Sequence, residues 1–184
     1  MNYSTVGNEQ DVRDIMDLQA QNHTSVVTEA TRQLQGFVTV RHDFDVLNRM
    51  NQAYPSVIAR SEDQLAGYAL MMPRSFRPHI PILEPMFQRL DHLSWRNAPL
   101  TDQQWFIMGQ ICVAETFRAQ GILDGMYRHL RKVWESEFNF VITEISERNP
   151  RSMRAHERVG FETLYAYTNP GTGEDWRVVV WDWE

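Results

Sequence analysis

The chain has 184 residues, of which 42% are hydrophobic and 23% are charged, and its formal net charge is −6. This length suits one domain with a substantial core and is short for two. The longest apolar runs, such as YALMM, are too short to span a bilayer. No block of lysine and arginine favours nucleic acid as a partner, so we expect neither a membrane nor a nucleic acid to be bound.

Compartment and metal content are constrained by the cysteine count and by the first residues. Cys112 is the one cysteine, which excludes an intramolecular disulfide and a zinc site built of thiolates, and we predict no metal site. The N-terminal stretch MNYSTVGNEQDVRD lacks a basic segment followed by an apolar one. We therefore expect no secretory signal and a cytoplasmic protein.

Helices are predicted first along the chain. Val12, Ile15, Met16 and Leu18 have the spacing of an amphipathic helix within EQDVRDIMDLQAQNH. The stretches TEATRQLQ and DFDVLNRMNQAY predict a second and a third helix, the third ending before Pro55. The hydrophobic pattern thus places a helical layer before any strand.

A hairpin and an irregular segment follow. Two β-prone runs in SVIARSEDQLAGYALMM predict a hairpin that turns near Glu62 and Asp63. Residues 73–104 then carry five prolines, which remove backbone donors, so regular sheet is not expected there and only a short helix in MFQRLDHL is predicted. Because the segment is long and rich in aromatic and apolar residues, we interpret it as an ordered loop or lid.

The second half of the chain alternates strands and helices. WFIMGQICVA predicts a strand. RAQGILDGMYRHLRKVWESEF predicts a helix whose apolar stripe consists of Ile122, Met126, Leu130, Val133 and Trp134. FNFVITEIS is a further strand, and NPRSMRAHERVG is a helix with Asn149 and Pro150 at its start and Gly160 at its end. FETLYAYTN and EDWRVVVWDW predict two last strands, giving an α/β fold with a mixed sheet in a single domain, residues 1–184.

Gly121 lies in RAQGIL, between a strand and a helix, and has two interpretations. The first is an ordinary turn. The second is a cradle for an anion, because unpaired backbone amides and the positive end of the helix dipole meet there. A Walker loop and a dinucleotide fingerprint both require further residues that this stretch lacks.

Two motifs in a fixed order carry a resemblance. RAQGIL resembles the Arg/Gln-x-x-Gly-x-Gly/Ala loop of the GCN5-related N-acetyltransferases (GNAT). ERNPRSMRAHERVGFE is similar to that family's downstream helix, which contains an asparagine and ends in Gly-Phe. The similarity covers the chain from about residue 56 onward and implies a mixed, mostly antiparallel sheet flanked by helices.

The resemblance implies a site for acetyl-CoA as acyl donor. Its loop amides would hold the pyrophosphate, and the backbone of the preceding strand would pair with the pantetheine arm. On a helix, Asn149, Ser152 and His156 share one face, so all three can point to one groove. The cofactor-binding residues so implied are Ile111, Cys112, Val113, Arg118, Ala119, Gln120, Gly121, Ile122, Leu123, Asn149 and Ser152.

Two positions depart from the family pattern. Leu123 stands where the family prefers glycine or alanine, which implies either a less tightly wound loop or a slightly displaced acyl-CoA. His156 stands where many members have a tyrosine that protonates the departing thiolate. A histidine can do this with a pKa nearer neutrality, and the alternative is a structural or cofactor-contact role.

Glu144 in VITEIS is the candidate general base for the attacking amine, with Glu115 beside the loop as a weaker alternative. The competing interpretation of Glu144 is an ion pair with an arginine of the following helix. Cys112 in an apolar strand is expected to be inert. Arg151, Arg154 and Arg158 would contact the ribose phosphate of CoA or form a solvated face.

The sequence thus predicts an acetyl-CoA-dependent N-acetyltransferase in which a primary amine attacks the thioester directly. The alternatives are a non-catalytic acyl-CoA-binding sensor or interaction module, and an enzyme for a longer acyl chain. The acceptor is a small-molecule or peptide amine, and the acidic net charge favours cationic ones. Aromatic residues Phe76, Trp95 and Trp105 line an acceptor pocket or the core. The C-terminal strand RVVVWDWE pairs with a second subunit, as a homodimer would require, or simply completes the sheet.

Overall fold

A computed structural model describes residues 1–23 and 42–184. The predicted helix TEATRQLQ lies outside these residues. The other two early helices are present as α1 (Glu9–Asn22) and α2 (Phe44–Ala53). Each begins where the sequence supplies an N-cap, since Asn8 accepts a hydrogen bond from the amide of Asp11 and Asp43 accepts one from the amide of Val46.

A seven-stranded mixed sheet forms the centre of the molecule. Its strands are β1 (Asn2–Thr5), β2 (Val57–Ser61), β3 (Gln64–Met72), β6 (Trp105–Val113), β7 (Phe140–Ser146), β8 (Glu162–Thr168) and β9 (Asp175–Asp182). They lie in the order β1-β2-β3-β6-β7-β9-β8. Strands β6 and β7 are parallel, and the other described pairs are antiparallel, which confirms the predicted fold class.

The predicted hairpin is the β2–β3 pair, with Glu62 in its turn at a φ of 53°. Strand β1 had no counterpart among the predicted strands. It pairs with β2 through only four residues, which is too short for a clear alternating pattern.

The two faces of the sheet are covered by different helices. Alternation along β2 directs Val57 and Ala59 toward α4 (Ile122–Trp134) and Ile58 toward α1. Ile122, Met126, Leu130 and Trp134 are buried on the predicted stripe of α4, whereas Val133 is only partly buried. Tyr127, which the stripe did not include, is fully buried as well. Helix α5 (Pro150–Val159) lies beside α4 and ends at Gly160.

Residues 73–104 form an ordered layer on the face that also carries α1. The segment contains helix α3 (Glu84–Leu90), the 3₁₀ turns Arg74–His79, Pro81–Leu83 and Leu100–Asp102, and a small hairpin of β4 (Ser94–Trp95) and β5 (Ala98–Pro99). The expectation of no regular sheet was therefore wrong for these four residues. The turn between the two short strands uses left-handed Arg96 and Asn97, with φ values of 52° and 62°, which made the hairpin hard to predict from sequence.

Aromatic side chains of this layer belong mainly to the core. Phe76 packs with Met86, Phe87 and Leu90 against β7 and β9, and Trp105 lies in β6 within the same cluster. The indole of Trp95 donates a hydrogen bond to Asp182 at 2.6 Å, which ties the segment to the end of β9. The core interpretation of Phe76 and Trp105 therefore holds.

The position of β9 decides between the two roles considered for RVVVWDWE. Strand β9 pairs with β7 on one side and with β8 on the other, so it completes the sheet and offers no edge to a second subunit. The edge strand on this side is β8.

We predict that Gly67→Ala destabilises the protein by about 1–3 kcal/mol, because overpacking a tight core contact forces backbone shifts. A Cβ at position 67 would lie 2.7 Å from the carbonyl oxygen of Cys112 and 3.1 Å from Cε of Met126. The matched control is Gly7→Ala, whose Cβ would meet nothing closer than Oδ2 of Asp11 at 3.8 Å. Urea unfolding measures both variants, and equal losses would contradict the close-packing argument.

Candidate functional site

The site starts where two neighbouring strands separate. Strands β6 and β7 pair only from Trp105 with Phe140 to Ile107 with Ile142. The hydroxyl of Thr143 then donates to the carbonyl of Met108 at 2.9 Å. Beyond this bond β6 continues with β3 and β7 with β9, so a split opens between residues 109–113 and residues 144–146.

One edge of β6 faces this split. The amide of Ala114 donates to the carbonyl of Ala66, on the β3 side. Because backbone polar groups alternate in direction along a strand, those of Ile111 and Val113 point to the opposite side, toward the split. Arg118 already donates from Nε to the carbonyl of Val113 at 3.2 Å. This edge can pair with an extended polar ligand.

The loop before α4 presents a concave set of amides. Ala119 and Gly121 have left-handed φ values of 61° and 74°, a conformation that turns successive N–H groups toward one side. No side chain caps α4 among the described residues, and the amide of Gly125 is the one that donates to the carbonyl of Gly121. The amides of residues 122–124 at the helix N-terminus are thus available to an anion.

The split between β6 and β7 and the loop before α4 open into one cleft of about 340 Å³. Arginines surround it, which concentrates positive charge in a chain of net charge −6. The lining residues are Asn22, Ile111, Cys112, Val113, Phe117, Arg118, Ala119, Gly121, Ile122, Leu123, Asn149, Arg151, Ser152, Arg154, Ala155 and Arg158.

The arginines of the cleft differ in how they are held. Arg118 donates from Nη2 to Oδ1 of Asn22 at 2.5 Å, and burial lowers the pKa of its guanidinium. Arg158 forms a bidentate pair with Asp124, at 2.8 and 3.1 Å, on the first turn of α4. Arg151 and Arg154 line the cleft from α5. A phosphate-bearing ligand would therefore meet positive charge from Arg118 in the loop before α4 and from the arginines of α5.

Glu144 lies past the last β6–β7 pair, but on the other face of the sheet from α4. Its carboxylate accepts a hydrogen bond from Nη1 of Arg89 at 2.9 Å and one from the hydroxyl of Tyr167 at 3.0 Å. Burial raises the pKa of Glu144, and the charge of Arg89 opposes that rise. The expected ion pair with an arginine of the following helix was wrong in its partner, since Arg89 comes from α3, far away in sequence.

His156 lies beneath the cleft and does not line it. Its Nδ1 donates to the carbonyl of Ser152 at 2.8 Å, and its Nε2 accepts from the hydroxyl of Tyr127 at 2.7 Å. The ring packs edge-on against Phe161 and Tyr127, and burial lowers the pKa of His156 to about 4. The residue is therefore a neutral imidazole with both nitrogens engaged inside the protein.

The model of the acetyltransferase (GNAT) family matches residues 9–161 of this sequence. The chain belongs to the GNAT acetyltransferase family. No curated protein matches the sequence significantly.

Solved structures share the GNAT fold at low sequence identity. The protein smu.2055 from Streptococcus mutans UA159 has 14% identity and a TM-score of 0.66, with 100% of both chains covered. A ribosomal-protein-alanine N-acetyltransferase from Brucella melitensis has 17% identity and a TM-score of 0.63, again with 100% of both chains covered. The putative acetyltransferase yncA from Salmonella typhimurium, solved with acetyl-CoA, has 13% identity and a TM-score of 0.64, with 100% of this chain and 94% of that chain covered.

Most residues implied by the GNAT resemblance meet at this cleft. Ile111, Cys112, Val113, Arg118, Ala119, Gly121, Ile122, Leu123, Asn149 and Ser152 all line it. Gln120 does not, because its side chain turns back to the carbonyl of Thr116 at 3.2 Å. Asn149 also caps α5 through the amide of Ser152 at 3.1 Å. The arrangement brings the strand, the loop and α5 to one groove.

Other lining residues had no sequence signal. Asn22 comes from the end of α1, about a hundred residues before the loop, and only tertiary packing brings it to Arg118.

The thiol of Cys112 has its pKa raised to about 12 by burial, so it stays protonated at neutral pH.

Neither a metal centre nor a membrane span is indicated by the described parts of the chain. Within residues 1–23 and 42–184, no group of histidine, cysteine and acidic side chains is arranged to hold a metal ion. None of the helices there is both long and apolar enough to cross a bilayer.

We predict that the stability of the protein falls as the pH decreases from about 6.5 to 4. His156 has an ordinary pKa of 6.5, lowered to about 4 in the folded state, so the unfolded chain binds its proton more readily in that window. One such group contributes a slope of about 1.4 kcal/mol per pH unit. His42, also buried, acts in the same direction.

The variant His156→Phe isolates the contribution of His156. It should be less stable at pH 7.5 by about 1–3 kcal/mol, because the buried hydroxyl of Tyr127 loses its acceptor. Its stability should then fall less steeply on acidification than that of the wild type. Urea unfolding at pH 5.0, 6.0 and 7.5 measures both slopes, and parallel slopes would show that His156 does not titrate in this way.

Proposed function

We propose that this protein is an acetyl-CoA-dependent N-acetyltransferase that transfers an acetyl group to a primary amine. One observation carries the proposal: the N-terminus of α4, which no described side chain caps, and the edge of β6 that faces the split open into the same cleft. The first can bind a diphosphate and the second an amide-containing arm, and acetyl-CoA has both parts in one molecule.

The residues present fit such a donor. The open space at Gly121, where a Cβ would meet no atom within 4 Å, lets a phosphate approach the backbone. The edge at Ile111 and Val113 would hold the pantetheine arm, and the arginines of α5 would balance phosphate charge. When bound, acetyl-CoA supplies an acetyl group activated as a thioester. The chain itself orients that group and excludes water.

Glu144 is the proposed general base. It lies where the split begins, next to Thr143, and a buried carboxylate with a raised pKa is suited to accept a proton from an ammonium group. Glu115, the alternative, is exposed in the 3₁₀ turn Glu115–Phe117. Glu115 is the weaker candidate because it is exposed to solvent and is not among the residues that line the cleft.

For His156 we propose a positioning role. Its nitrogens are bonded to Tyr127 and to the carbonyl of Ser152, so it holds the first turn of α5 against α4. Ser152, whose hydroxyl is 3.3 Å from Nδ1 of His156, is the member of this pair that lines the cleft. The histidine thus acts on the cleft through Ser152.

The acceptor is proposed to be a small-molecule or peptide amine. The net charge of −6 favours cationic acceptors over acidic ones. Peptide amines are included because similar structures comprise ribosomal-protein-alanine N-acetyltransferases and a NatC complex bound to a Gag peptide and CoA.

A second candidate function is a non-catalytic acyl-CoA-binding module. The observation that favours it is the occupied carboxylate, because Arg89 and Tyr167 already engage both oxygens of Glu144. Thiol release from acetyl-CoA over a panel of alkylamines, polyamines and peptides separates the two functions. Binding without turnover on every amine would favour the module.

We predict that Gly121→Val weakens acetyl-CoA binding at least about tenfold, a loss of about 1.4 kcal/mol, because its side chain enters the phosphate cradle. The matched control is Gly173→Val. Gly173 also has a left-handed φ, 67°, and open space around its Cβ position, but it lies in the β8–β9 turn. Isothermal titration should show normal affinity for the control, although both variants carry a similar backbone penalty. Equal affinities in the two variants would contradict the cradle.

We predict that Glu144→Gln lowers kcat/KM for amine acetylation by about 100- to 10,000-fold while acetyl-CoA affinity is kept. The glutamine retains the size of the side chain but cannot accept the proton. Glu115→Gln is the control and should keep the wild-type rate. If Glu115→Gln is the slow variant instead, the base has been assigned to the wrong carboxylate.

A further inference from the structure

An ion pair and a tyrosine hydroxyl meet where the strand split begins, on the face of the sheet away from α4. Glu144 of β7 receives Arg89 from α3 and the hydroxyl of Tyr167 from β8. The guanidinium carbon of Arg89 lies 3.3 Å from the centre of the Tyr167 ring, so the cation also stacks on that ring. Three separate elements therefore meet at a single carboxylate.

The orientation of Glu144 follows from its strand. Val141 and Ile145 pack beneath α4, whereas Phe140 and Ile142 pack against the proline-rich segment. Because side chains alternate along a strand, Glu144 points to the same face as Ile142, away from α4. The carboxylate thus lies on the opposite face of the sheet from the helix whose N-terminus bounds the cleft.

Glu144 requires a positive partner in this place. Its side chain is 12% exposed and that of Arg89 is 20% exposed, so the pair is largely removed from water. Removing one partner of such a pair leaves an uncompensated charge, which is strongly unfavourable. An arriving ligand can therefore replace Arg89 with little loss only if it brings a cation of its own.

We propose that Arg89 is a specificity-determining residue, a resident cation at Glu144 that the ammonium group of a cationic acceptor replaces. This inference rests on the proposed acetyltransferase function. It defines the acceptor as a primary amine that is protonated when it arrives, and it excludes neutral aromatic amines as good acceptors. It also makes α3 part of the acceptor site.

The exchange prepares the amine for attack. With the guanidinium gone, one N–H bond of the ammonium breaks and one O–H bond forms on the Glu144 carboxylate, leaving a neutral amine and a neutral carboxyl group. No net charge is gained or lost. The transfer is favoured because burial destabilises both charged forms once water is excluded. With Arg89 in place, the same carboxylate holds a cation and is a poor base.

The charged and titratable groups that act on Glu144 come from two of the elements around it. Arg89 on α3 opposes protonation, and Tyr167 on β8 donates to the charged form. Burial raises the pKa of Tyr167, and the charges of Glu144 and, as the smallest cause, of Glu174 in the β8–β9 turn add to that rise. Arg89 is the cation in this set, so its removal is the decisive perturbation.

The proposal is tested by carbon NMR on protein labelled at the side-chain carboxyl of glutamate, with the Glu144 signal assigned through Glu144→Gln. Arg89→Gln should raise the pKa of Glu144 by about 1 to 3, as expected when an adjacent cation is lost. Arg89→Lys keeps the positive charge, so the pKa of Glu144 should stay near its wild-type value. Arg74→Gln is the matched control, because Arg74 is in the same segment but contacts Trp105 and the carbonyls of Leu100 and Thr101.

The second arm uses n-propylammonium chloride as a probe of the vacated place. In Arg89→Gln the probe should lower the pKa of Glu144 toward the wild-type value. The probe concentration that gives half of this effect should be at least about fivefold lower than in the wild type. No response of Glu144 to the probe in Arg89→Gln would overturn the proposal. An equal response in both proteins would overturn it too, because the probe would then not compete with Arg89.

The test is separable from the proposed function. Acetyl-CoA titration of the same samples reports on the cleft, which lies on the α4 side of the sheet, and does not depend on Glu144. Normal acetyl-CoA binding with no probe response refutes the role of Arg89 alone. Absence of acetyl-CoA binding by the wild-type protein refutes the acetyltransferase assignment, whatever the pKa of Glu144 is found to be.

Discussion

The separation of β6 from β7 is the constraint on which the rest of the site depends. Up to Ile107 and Ile142 the two strands satisfy each other's backbone groups, and after them they do not. A buried strand edge with unpaired amides and carbonyls is costly unless a ligand or side chain satisfies it. The fold keeps this edge open by directing β6 to β3 and β7 to β9, and the open edge becomes part of a cleft.

The two faces of the split have opposite electrostatic character. On the α4 side, helix amides and arginines favour a polyanionic donor. On the side of the proline-rich segment, the carboxylate of Glu144 favours a cation. The proposed acyl donor and the proposed acceptor would thus approach the same gap from different faces and would not compete for charge. Because Glu144 is largely buried, its carboxylate interacts more strongly with a positive partner than it would in water. Leaving the carboxylate without such a partner therefore costs more free energy.

Local sequence was informative where a feature depends on neighbouring residues. Helix α5 begins at Asn149 and Pro150 and ends at Gly160 as the capping pattern predicts, and Gly121 has the left-handed conformation that a turn into a helix uses. The same motif chemistry located most of the cleft lining. It failed for Gln120, because periodicity and resemblance place a backbone but do not fix the direction of an exposed side chain.

The sequence by itself determined the order of the longer strands and of the described helices, the mixed sheet and the glycine loop, because hydrophobic period, caps and turn residues act over a few positions; it missed β1 and the β4–β5 hairpin. The tertiary structure alone decided the partners of Glu144 and His156. Arg89 is 55 residues from Glu144 and Tyr127 is 29 residues from His156, and no periodicity relates such positions. Burial, which raises the pKa of Glu144 and lowers that of His156, is likewise a property of the packed layers and not of any segment alone.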